Sequence, residues 1–233
     1  MGSHYRQFSS VAMAAEVLES RWTLLIVREL FLGSKHFNDI RKGVPKMSPT
    51  LLSKRLKELE WHGILKRVAS PMGSRKSEYV LTQAGIELFD VINAIGSWGK
   101  RWIDMRHNLD TAKENLLIWD IRRNLRMEYF PINSAVLQIN ITDVPKKTSN
   151  WWFIFDGKER PDVGYLDPSL DVDLYIETSL SSLTKVWLGE SPLATESKAG
   201  TLQIEGSQKM IETFESWFGV NNFAAIPKFS IAS

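Results

Sequence analysis

The chain has 233 residues, which is enough for one large domain or two small ones. Hydrophobic residues make up 43% and charged residues 24%, as in an ordinary folded protein, so a mostly disordered chain is excluded. The sequence contains no cysteine, which excludes disulfides and thiol chemistry, and its apolar runs are far shorter than the ~20 residues of a membrane-spanning helix. We therefore expect a cytoplasmic protein with no membrane partner.

Net charge is only +2, but it is distributed unevenly along the chain. Residues 1–110 hold 17 basic and 11 acidic side chains, whereas the remaining residues hold 12 and 16. The basic excess is concentrated in residues 35–76, with 11 basic and three acidic side chains. Such a segment is typical of nucleic-acid binding, although a solvated basic surface would give the same composition.

The first predicted elements are helices. Apolar residues recur at helical spacing through residues 11–32, with Ser20 as a point where two helices could meet, and Gly33 ends the run. Residues 36–40 indicate a short helix, which the sequence Gly43-Val44-Pro45 ends.

A further helix is predicted to begin at Ser48 and Pro49 and to end near Trp61. Ser48 can accept a hydrogen bond from the first turn, and proline at the first helical position sacrifices no helical N–H bond. Leucines at helical spacing face a core: Leu52, Leu56 and Leu59. The opposite, solvated face carries Thr50, Ser53, Lys54 and Lys57.

A hairpin is predicted after this helix. Residues 64–68 and 78–81 have strand composition, and the turn-rich residues 71–76 between them include Arg75 and Lys76. Thr82 then caps a helix, and either this helix or a second one after Gly96 reaches about residue 105. Helices followed by a hairpin with a basic tip form a mostly α winged helix-turn-helix. One helix of that fold enters the major groove of DNA, and the hairpin reaches the backbone or minor groove.

Five stretches in this region resemble the HxlR family of bacterial regulators: Arg21–Leu30, Phe37–Ile40, Ser48–Glu60, Gly63–Leu65 and Tyr79–Thr82. The resemblance covers residues 8–105 in one collinear order. It implies a homodimeric DNA-binding transcription factor that acts near its own gene. Many members carry a cysteine near the N-terminus, sometimes as a redox or aldehyde sensor. This chain has Ser9 there, so thiol sensing is not available to it.

The DNA contacts follow from the winged-helix geometry. Pro49 and Thr50 lie at the end of the helix that reaches base edges, and the lysines one to two turns further on would contact phosphates. For Arg55, an ion pair with an acidic neighbour and a DNA contact remain open. The predicted DNA-binding residues are Ser48, Pro49, Thr50, Ser53, Lys54, Arg55, Lys57, Arg75 and Lys76.

A single winged helix reads too few base pairs for tight specific binding. We therefore expect a homodimer on a palindromic operator in double-stranded DNA, with half-sites about 34–36 Å apart. Its two winged helices together would read enough base pairs. The first helix and the helix with Trp98 and Trp102 have apolar surfaces that lack a partner in so small a domain. They form the predicted dimer interface, an inference that rests partly on the resemblance.

The second half of the chain is predicted to be α+β. A connecting helix, capped by Asp110 or Thr111, is followed by apolar alternation with a period of two, which predicts strands. Helices are expected at residues 180–188 and 209–218. We predict an antiparallel sheet with helices on one side. The predicted domains are residues 1–106 (DNA binding and dimerisation), 107–133 (connecting helix) and 134–233 (α+β).

Two stretches of this half resemble the sterol-carrier-protein-like fold: Ser181–Ala194, and Gly200–Gly206 with the helix after it. The resemblance covers about residues 134–220 and implies an apolar cavity between sheet and helices, which in some such domains binds lipid-like ligands. The predicted pocket residues are Trp152, Ile154, Leu174, Ile176, Leu183, Trp187, Phe214 and Trp217. The same aromatic residues could instead simply form a core.

The sequence offers little support for catalysis. The histidines His4, His36, His62 and His107 have no zinc-ligand spacing, and neither a phosphate-binding glycine loop nor a nucleophile elbow is present. We expect no enzyme activity, no metal and no cofactor. The preferred hypothesis is a homodimeric regulator that an apolar ligand could modulate. The alternative is a lipid or apolar-ligand carrier whose winged helix serves for dimerisation or protein binding.

Overall fold

A computed structural model of the chain describes residues 5–69, 77–103 and 113–229. The chain forms two units, Met1–Gly96 (the first unit) and Ser97–Ser233 (the second unit). The division falls within a helix, Gln83–Trp102. The predicted caps Asp110 and Thr111 lie outside the described residues, and the connecting helix begins only at Glu114, with Lys113 at the cap position, so neither of them caps it. The finer division at residues 106 and 133 stays a prediction.

The first unit begins with four helices: α1 (Ser10–Leu18), α2 (Thr23–Phe31), α3 (Phe37–Gly43) and α4 (Pro49–Trp61). The interruption predicted near Ser20 is confirmed, because Trp22 has a φ of 82°, which a right-handed helix cannot contain. The helices enclose one apolar cluster. Its fully buried members include Ile26, Val27, Ile40, Leu52 and Leu56.

A two-stranded hairpin follows, formed by β1 (Leu65–Ala69) and β2 (Ser77–Leu81). The strands are antiparallel, with pairs from Leu65–Leu81 to Ala69–Ser77. Helix α5 (Gln83–Trp102) comes next, and its predicted cap is confirmed, since Thr82 Oγ1 accepts a hydrogen bond from Gly85 N at 3.2 Å. The predicted wing tip, with Arg75 and Lys76, lies outside the described residues.

The second unit contains α6 (Glu114–Asn124) and five described strands. They are β3 (Ser134–Ile141), β4 (Asn150–Asp156), β5 (Asp162–Gly164), β6 (Leu174–Thr178) and β7 (Leu202–Gly206). Their order in the sheet is β5-β4-β3-β6-β7. The described helices after β6 are α7 (Leu180–Trp187), α8 (Leu193–Lys198), α9 (Gln208–Glu212) and α10 (Phe214–Phe218).

The prediction of an antiparallel sheet is wrong at its centre. Strand β6 pairs with β3 in parallel, through Leu137–Leu174 and Ile139–Ile176, while the other described pairs are antiparallel. The reason lies in residues 165–173, which connect edge strand β5 to β6 on the far side of β3. Because β5 and β6 are not neighbours in the sheet, this connection is a crossover rather than a hairpin turn, and a strand reached by a crossover can run parallel to its new neighbour.

One face of this sheet forms the core of the second unit. Alternate residues of β3, β4 and β6 pack against apolar residues of α6, α7, α9 and α10 in one buried cluster. The last helix predicted, residues 209–218, is divided into α9 and α10. Thr213 leaves helical geometry there, with ψ at 6°, and its Oγ1 donates a hydrogen bond to Lys209 O at 2.9 Å.

Candidate nucleic-acid interface

Helix α4 is fixed in the first unit by its N-terminal cap and its leucine face. Ser48 Oγ accepts a hydrogen bond from Leu51 N at 3.3 Å, and Pro49 occupies the first helical position, as predicted. Leu52, Leu56 and Leu59 are buried in the apolar cluster. The leucines therefore determine which face of α4 points to solvent.

The solvent-facing side of α4 forms one continuous stripe, which we call the α4 polar face. Its residues recur at intervals of three and four and line an open, shallow surface: Pro49, Thr50, Ser53, Lys54, Lys57, Glu58 and Trp61. The structure thus brings together five of the predicted DNA-binding residues on one side of a 13-residue helix. Ser48 lies exposed directly before it.

Charges on this helix are partly paired. Lys54 Nζ lies 3.9 Å from Glu58 Oε1, and the Arg55 guanidinium contacts the same carboxylate. The Arg55 side chain is only 19% exposed, so the structure supports its ion-pair interpretation. Lys57 is exposed, and within the described part of the chain no ion pair to it is found. Lys57 is therefore the cation of this helix that is best placed to meet a phosphate.

Trp61 is the residue of this surface that the sequence interpretation missed. It was assigned only to the end of the helix, yet its side chain is 82% exposed on the α4 polar face. Its ring contacts His62 edge-on, with centroids 4.6 Å apart. The available signal was its spacing, because Trp61 follows Lys54 and Lys57 at intervals of seven and four on a solvated stripe.

Basic side chains are also exposed beside α4 in the first unit. Arg41 and Lys42 lie at the end of α3, and Lys46 lies in the turn before α4. Lys66 and Arg67 are exposed on β1 of the hairpin. The positive charge predicted from residues 35–76 is thus presented to solvent on α3, on α4 and on the described part of the hairpin.

Helix α5 carries an exposed apolar stripe. Val91, Ile95, Trp98 and Trp102 follow one another at intervals of three or four, and Ile95 and Trp98 are 48% and 58% exposed. Helix α1 likewise exposes Val11 and Met13. Contiguous apolar faces of this kind are costly in water and usually mark an interaction surface.

The predicted ligand pocket needs correction. Leu174, Ile176, Leu183, Trp187, Phe214 and Trp217 do meet, but as almost completely buried members of the core. Trp152 and Ile154 lie on the opposite face of the sheet, because they alternate along β4 with the core residues Trp151, Phe153 and Phe155. The eight residues therefore cannot line one cavity.

A different concave site is present in the second unit. A groove of about 300 Å³ lies between the end of α7, the start of α8 and α10. Phe214 is its one member from the predicted pocket. The other lining residues are Val186, Gly189, Ser191, Pro192, Leu193, Glu215, Phe218, Gly219 and Val220.

The described part of the chain offers neither a metal-ligand cluster nor a membrane-spanning helix. Within residues 5–69, 77–103 and 113–229, no three side chains of histidine, aspartate or glutamate cluster as metal ligands would. None of the helices in those ranges combines the length and the apolar character of a membrane-spanning helix.

Comparisons with known proteins match the first part of the chain. Residues 17–107 match a family described as HxlR-like helix-turn-helix. The "Uncharacterized HTH-type transcriptional regulator YvaP" of Bacillus subtilis (strain 168) is 41% identical over 91 residues, which are 39% of this chain and 84% of that protein. The "HTH-type transcriptional regulator YodB" of the same organism is 34% identical over 91 residues, 39% of this chain and 81% of that protein.

Two further matches each cover less than half of this chain. A 38% identical regulator of Mycobacterium tuberculosis (strain ATCC 25618 / H37Rv) is matched over 43% of this chain and 63% of its own length. The solved structure of the reduced form of YodB from B. subtilis has 33% sequence identity and a TM-score of 0.37. It covers 40% of this chain and 93% of that one.

Proposed function

The chain belongs to the HxlR-like helix-turn-helix family, and on that premise we propose that it is a DNA-binding transcriptional regulator. The observation that carries the proposal is the α4 polar face, where Thr50, Ser53 and Lys57 are held on one side by the buried leucines. The relatives named above are transcriptional regulators by their names, which supports the same role for this chain. We propose no enzymatic activity.

The proposed binding mode follows from the chemistry of the face. Thr50 and Pro49 stand at the N-terminal end of α4, where a short side chain lets the backbone approach base edges and a hydroxyl can hydrogen-bond to a base. Lys54 and Lys57, one to two turns further on, neutralise phosphates. Base contacts therefore set the sequence preference, and the lysines add affinity for any DNA.

We propose a homodimer on a palindromic operator. The exposed stripe of α5, with Ile95 and Trp98 at its centre, needs an apolar partner, and the partner we propose is the same stripe of a second copy. Helix α1, with Val11 and Met13 exposed, is the second element of the proposed interface. A two-fold axis would set two α4 helices about one turn of DNA apart.

For the second unit we propose a sterol-carrier-like domain whose groove takes an apolar modulator, and we place the regulator in the bacterial cytoplasm. Support for the modulator comes from the groove, which has the volume of a small-ligand site and apolar lining residues such as Leu193 and Phe218. Carriage of an apolar ligand, with the winged helix used for dimerisation or protein binding, remains the rival function. A DNA affinity that falls as the salt concentration rises would support the regulator over the carrier.

The test of the proposed function is fluorescence anisotropy with DNA from upstream of the protein's own gene, compared with a scrambled duplex across a salt series. We expect tighter binding to the upstream DNA, by at least ~10³-fold at physiological salt, and a steep loss of affinity for both duplexes as salt rises. Weak binding to both duplexes without salt dependence would contradict a DNA-binding role and favour the carrier.

A further inference from the structure

Among the residues that line the α4 polar face, Glu58 is the only acid. It follows Lys54 by four residues and Thr50 by eight, so the three lie in one row along the helix. The Glu58 side chain is 38% exposed. A carboxylate is unexpected at this place, because a surface that meets phosphates gains affinity from positive charge and loses affinity to negative charge.

Arg55 fixes the position of this carboxylate. The Arg55 guanidinium contacts Glu58 Oε2, and the Arg55 side chain is only 19% exposed. A hydrogen bond between a guanidinium and a carboxylate is stronger than one between neutral groups, and at a part-buried position water competes with it less. Arg55 is therefore a positioning residue, which keeps the carboxylate of Glu58 beside Lys54.

The pair between Glu58 and Lys54 is of a weaker kind. Lys54 Nζ lies 3.9 Å from Glu58 Oε1, and the Lys54 side chain is 68% exposed. Exposed pairs at such a distance contribute little and are screened by salt. Lys54 can therefore exchange Glu58 for another anion, whereas Glu58 stays with Arg55.

Lys57 differs from Lys54 although both lie on the α4 polar face. Lys57 is exposed, and the described part of the chain contains no ion pair to it within 4 Å. When DNA binds, Lys57 gains a phosphate and gives up only water and counterions. Lys54 gains a phosphate but gives up Glu58, and the carboxylate that it leaves stays close to the DNA. The two lysines therefore differ in what they add to DNA affinity.

We propose that Glu58, positioned by Arg55, competes with DNA phosphates for Lys54 and thereby limits the affinity of the α4 polar face for DNA of any sequence. This inference rests on the proposed DNA-binding function and identifies the residue that sets its strength. Lys57 is then the main phosphate contact of α4. A limit on sequence-independent affinity is useful to a regulator, because an operator competes with a very large number of other sites in a genome.

The experiment is a double-mutant cycle on the full chain, measured by anisotropy with the upstream and scrambled duplexes at ~0.1 M salt and above. Lys57→Gln should weaken binding about tenfold, whereas Lys54→Gln should weaken it only about two- to threefold. In a Glu58→Gln background, Lys54→Gln should also weaken binding about tenfold. The resulting coupling of roughly three- to fivefold has the size found for exposed ion pairs.

Glu58→Gln alone should strengthen DNA binding. We expect a gain of about five- to tenfold for both duplexes and a salt dependence steeper by about one counterion, because Lys54 then neutralises a phosphate without leaving a carboxylate behind. The glutamine amide oxygen can still accept a hydrogen bond from Arg55, and urea unfolding checks that the variant is folded. The comparison of Lys54→Gln with Lys57→Gln leaves this ion pair intact and tests the proposal independently.

Glu60→Gln is the matched control. It removes the same charge from an exposed position of α4, but Glu60 does not line the α4 polar face. Within the described ranges, no ion pair between Glu60 and a lysine or arginine is found. Glu60→Gln should change DNA affinity by less than about twofold and should leave the effect of Lys54→Gln unchanged.

Failure of this proposal differs from failure of the DNA-binding function. If the wild type binds with a steep salt dependence but Lys54→Gln costs as much affinity as Lys57→Gln, only the role of Glu58 is overturned. The same conclusion follows if Glu58→Gln weakens binding to the upstream duplex, which would mean that the carboxylate accepts a hydrogen bond from a base amino group. A wild type that binds neither duplex overturns the DNA-binding function and this proposal with it.

Discussion

At the scale of single residues, exposure separates the two kinds of aromatic side chain in this protein. Trp187 and Trp217 are almost fully buried, whereas Trp61 is 82% exposed although it belongs to a well-packed helix. The sequence predicts the leucine face of α4 because its spacing is regular. The spacing of Trp61 places it in line with Lys54 and Lys57, but it does not establish exposure, because an aromatic residue at a helix end is equally compatible with burial under a neighbouring element.

Trp61 should strengthen DNA binding without changing its salt dependence. We expect Trp61→Ala to weaken binding to specific and scrambled DNA about tenfold, which corresponds to about 1.4 kcal/mol of lost packing against the sugar–phosphate backbone. The slope of affinity against salt should not change, because no charge is removed. Anisotropy with unchanged far-ultraviolet circular dichroism checks this.

The control for Trp61 is Tyr175→Ala, which removes an exposed aromatic ring from the second unit and should leave DNA affinity unchanged. If Trp61→Ala binds like the wild type while Lys57→Gln binds more weakly, the α4 polar face contacts DNA without Trp61. If neither variant differs from the wild type, the face itself is not the DNA-binding surface.

Glu196 should stabilise the second unit in a pH-dependent way. Hydrogen bonds from Ser191, Thr201 and Ser182 lower its pKa to about 2, and the Thr201 hydroxyl lies 2.7 Å from the carboxylate. Because the folded-state pKa is depressed, this stabilisation is present above the unfolded-state pKa of about 4.5 and is lost as pH falls towards 2.

Glu196→Gln should therefore reduce the free energy of unfolding by about 1–2 kcal/mol at pH 7 and by much less near pH 2. Urea unfolding at both pH values measures this difference. Glu205→Gln, at an exposed position of β7, is the control and should change little. An equal loss at both pH values for Glu196→Gln would show that packing rather than the charge of Glu196 matters.

At the scale of elements, three predictions that depended on local chemistry are confirmed, whereas the predicted cap of the connecting helix at Asp110 or Thr111 is not, because Lys113 occupies that position. The cap at Ser48, the proline after it and the cap at Thr82 all act within one turn of the chain, so the sequence contains their causes. The direction of β6 does not depend on its own sequence, since Leu174 and Ile176 alternate equally well in a parallel or an antiparallel pair. The crossover at residues 165–173 decides it, and that is a property of the whole sheet.

Two glycines of α5 should respond oppositely to alanine. A Cβ at Gly85 would lie 2.1 Å from Ile64 O, so the start of α5 can pack against this carbonyl only if residue 85 has no side chain. At Gly99 nothing among the described residues lies within 4 Å of the Cβ position.

Gly85→Ala should destabilise the protein by about 1–3 kcal/mol, because the steric clash outweighs the higher helix propensity of alanine. Gly99→Ala should stabilise it by about 0.5–1 kcal/mol through the same propensity. Urea unfolding followed by circular dichroism compares the two variants. Stabilisation by Gly85→Ala would mean that α5 does not pack closely on Ile64.

At the scale of the whole molecule, the ligand pocket is the feature that the sequence did not predict correctly. Alternation along β4 identifies which residues share a face, but the prediction combined Trp152 and Ile154 with residues of the other face. The groove lined by Phe214 arises where the ends of three helices meet, and no local pattern indicates such a meeting. In contrast, the sequence does predict a helical first part and a sheet-containing second part. Apolar residues recur at helical spacing in the first part and at every second position in strands of the second part.

If this protein binds DNA as a homodimer, a variant that cannot dimerise should lose specific DNA binding, and measuring that loss is the most direct test. Ile95→Glu places a charge in the middle of the exposed stripe of α5, while Asp90→Asn changes an exposed polar position of the same helix as the control. We expect the wild type and Asp90→Asn to sediment as dimers and to bind upstream DNA as two chains per duplex. Ile95→Glu should remain folded, sediment as a monomer and lose at least ~100-fold in specific affinity. Wild-type affinity and stoichiometry in a monomeric Ile95→Glu protein would contradict the account.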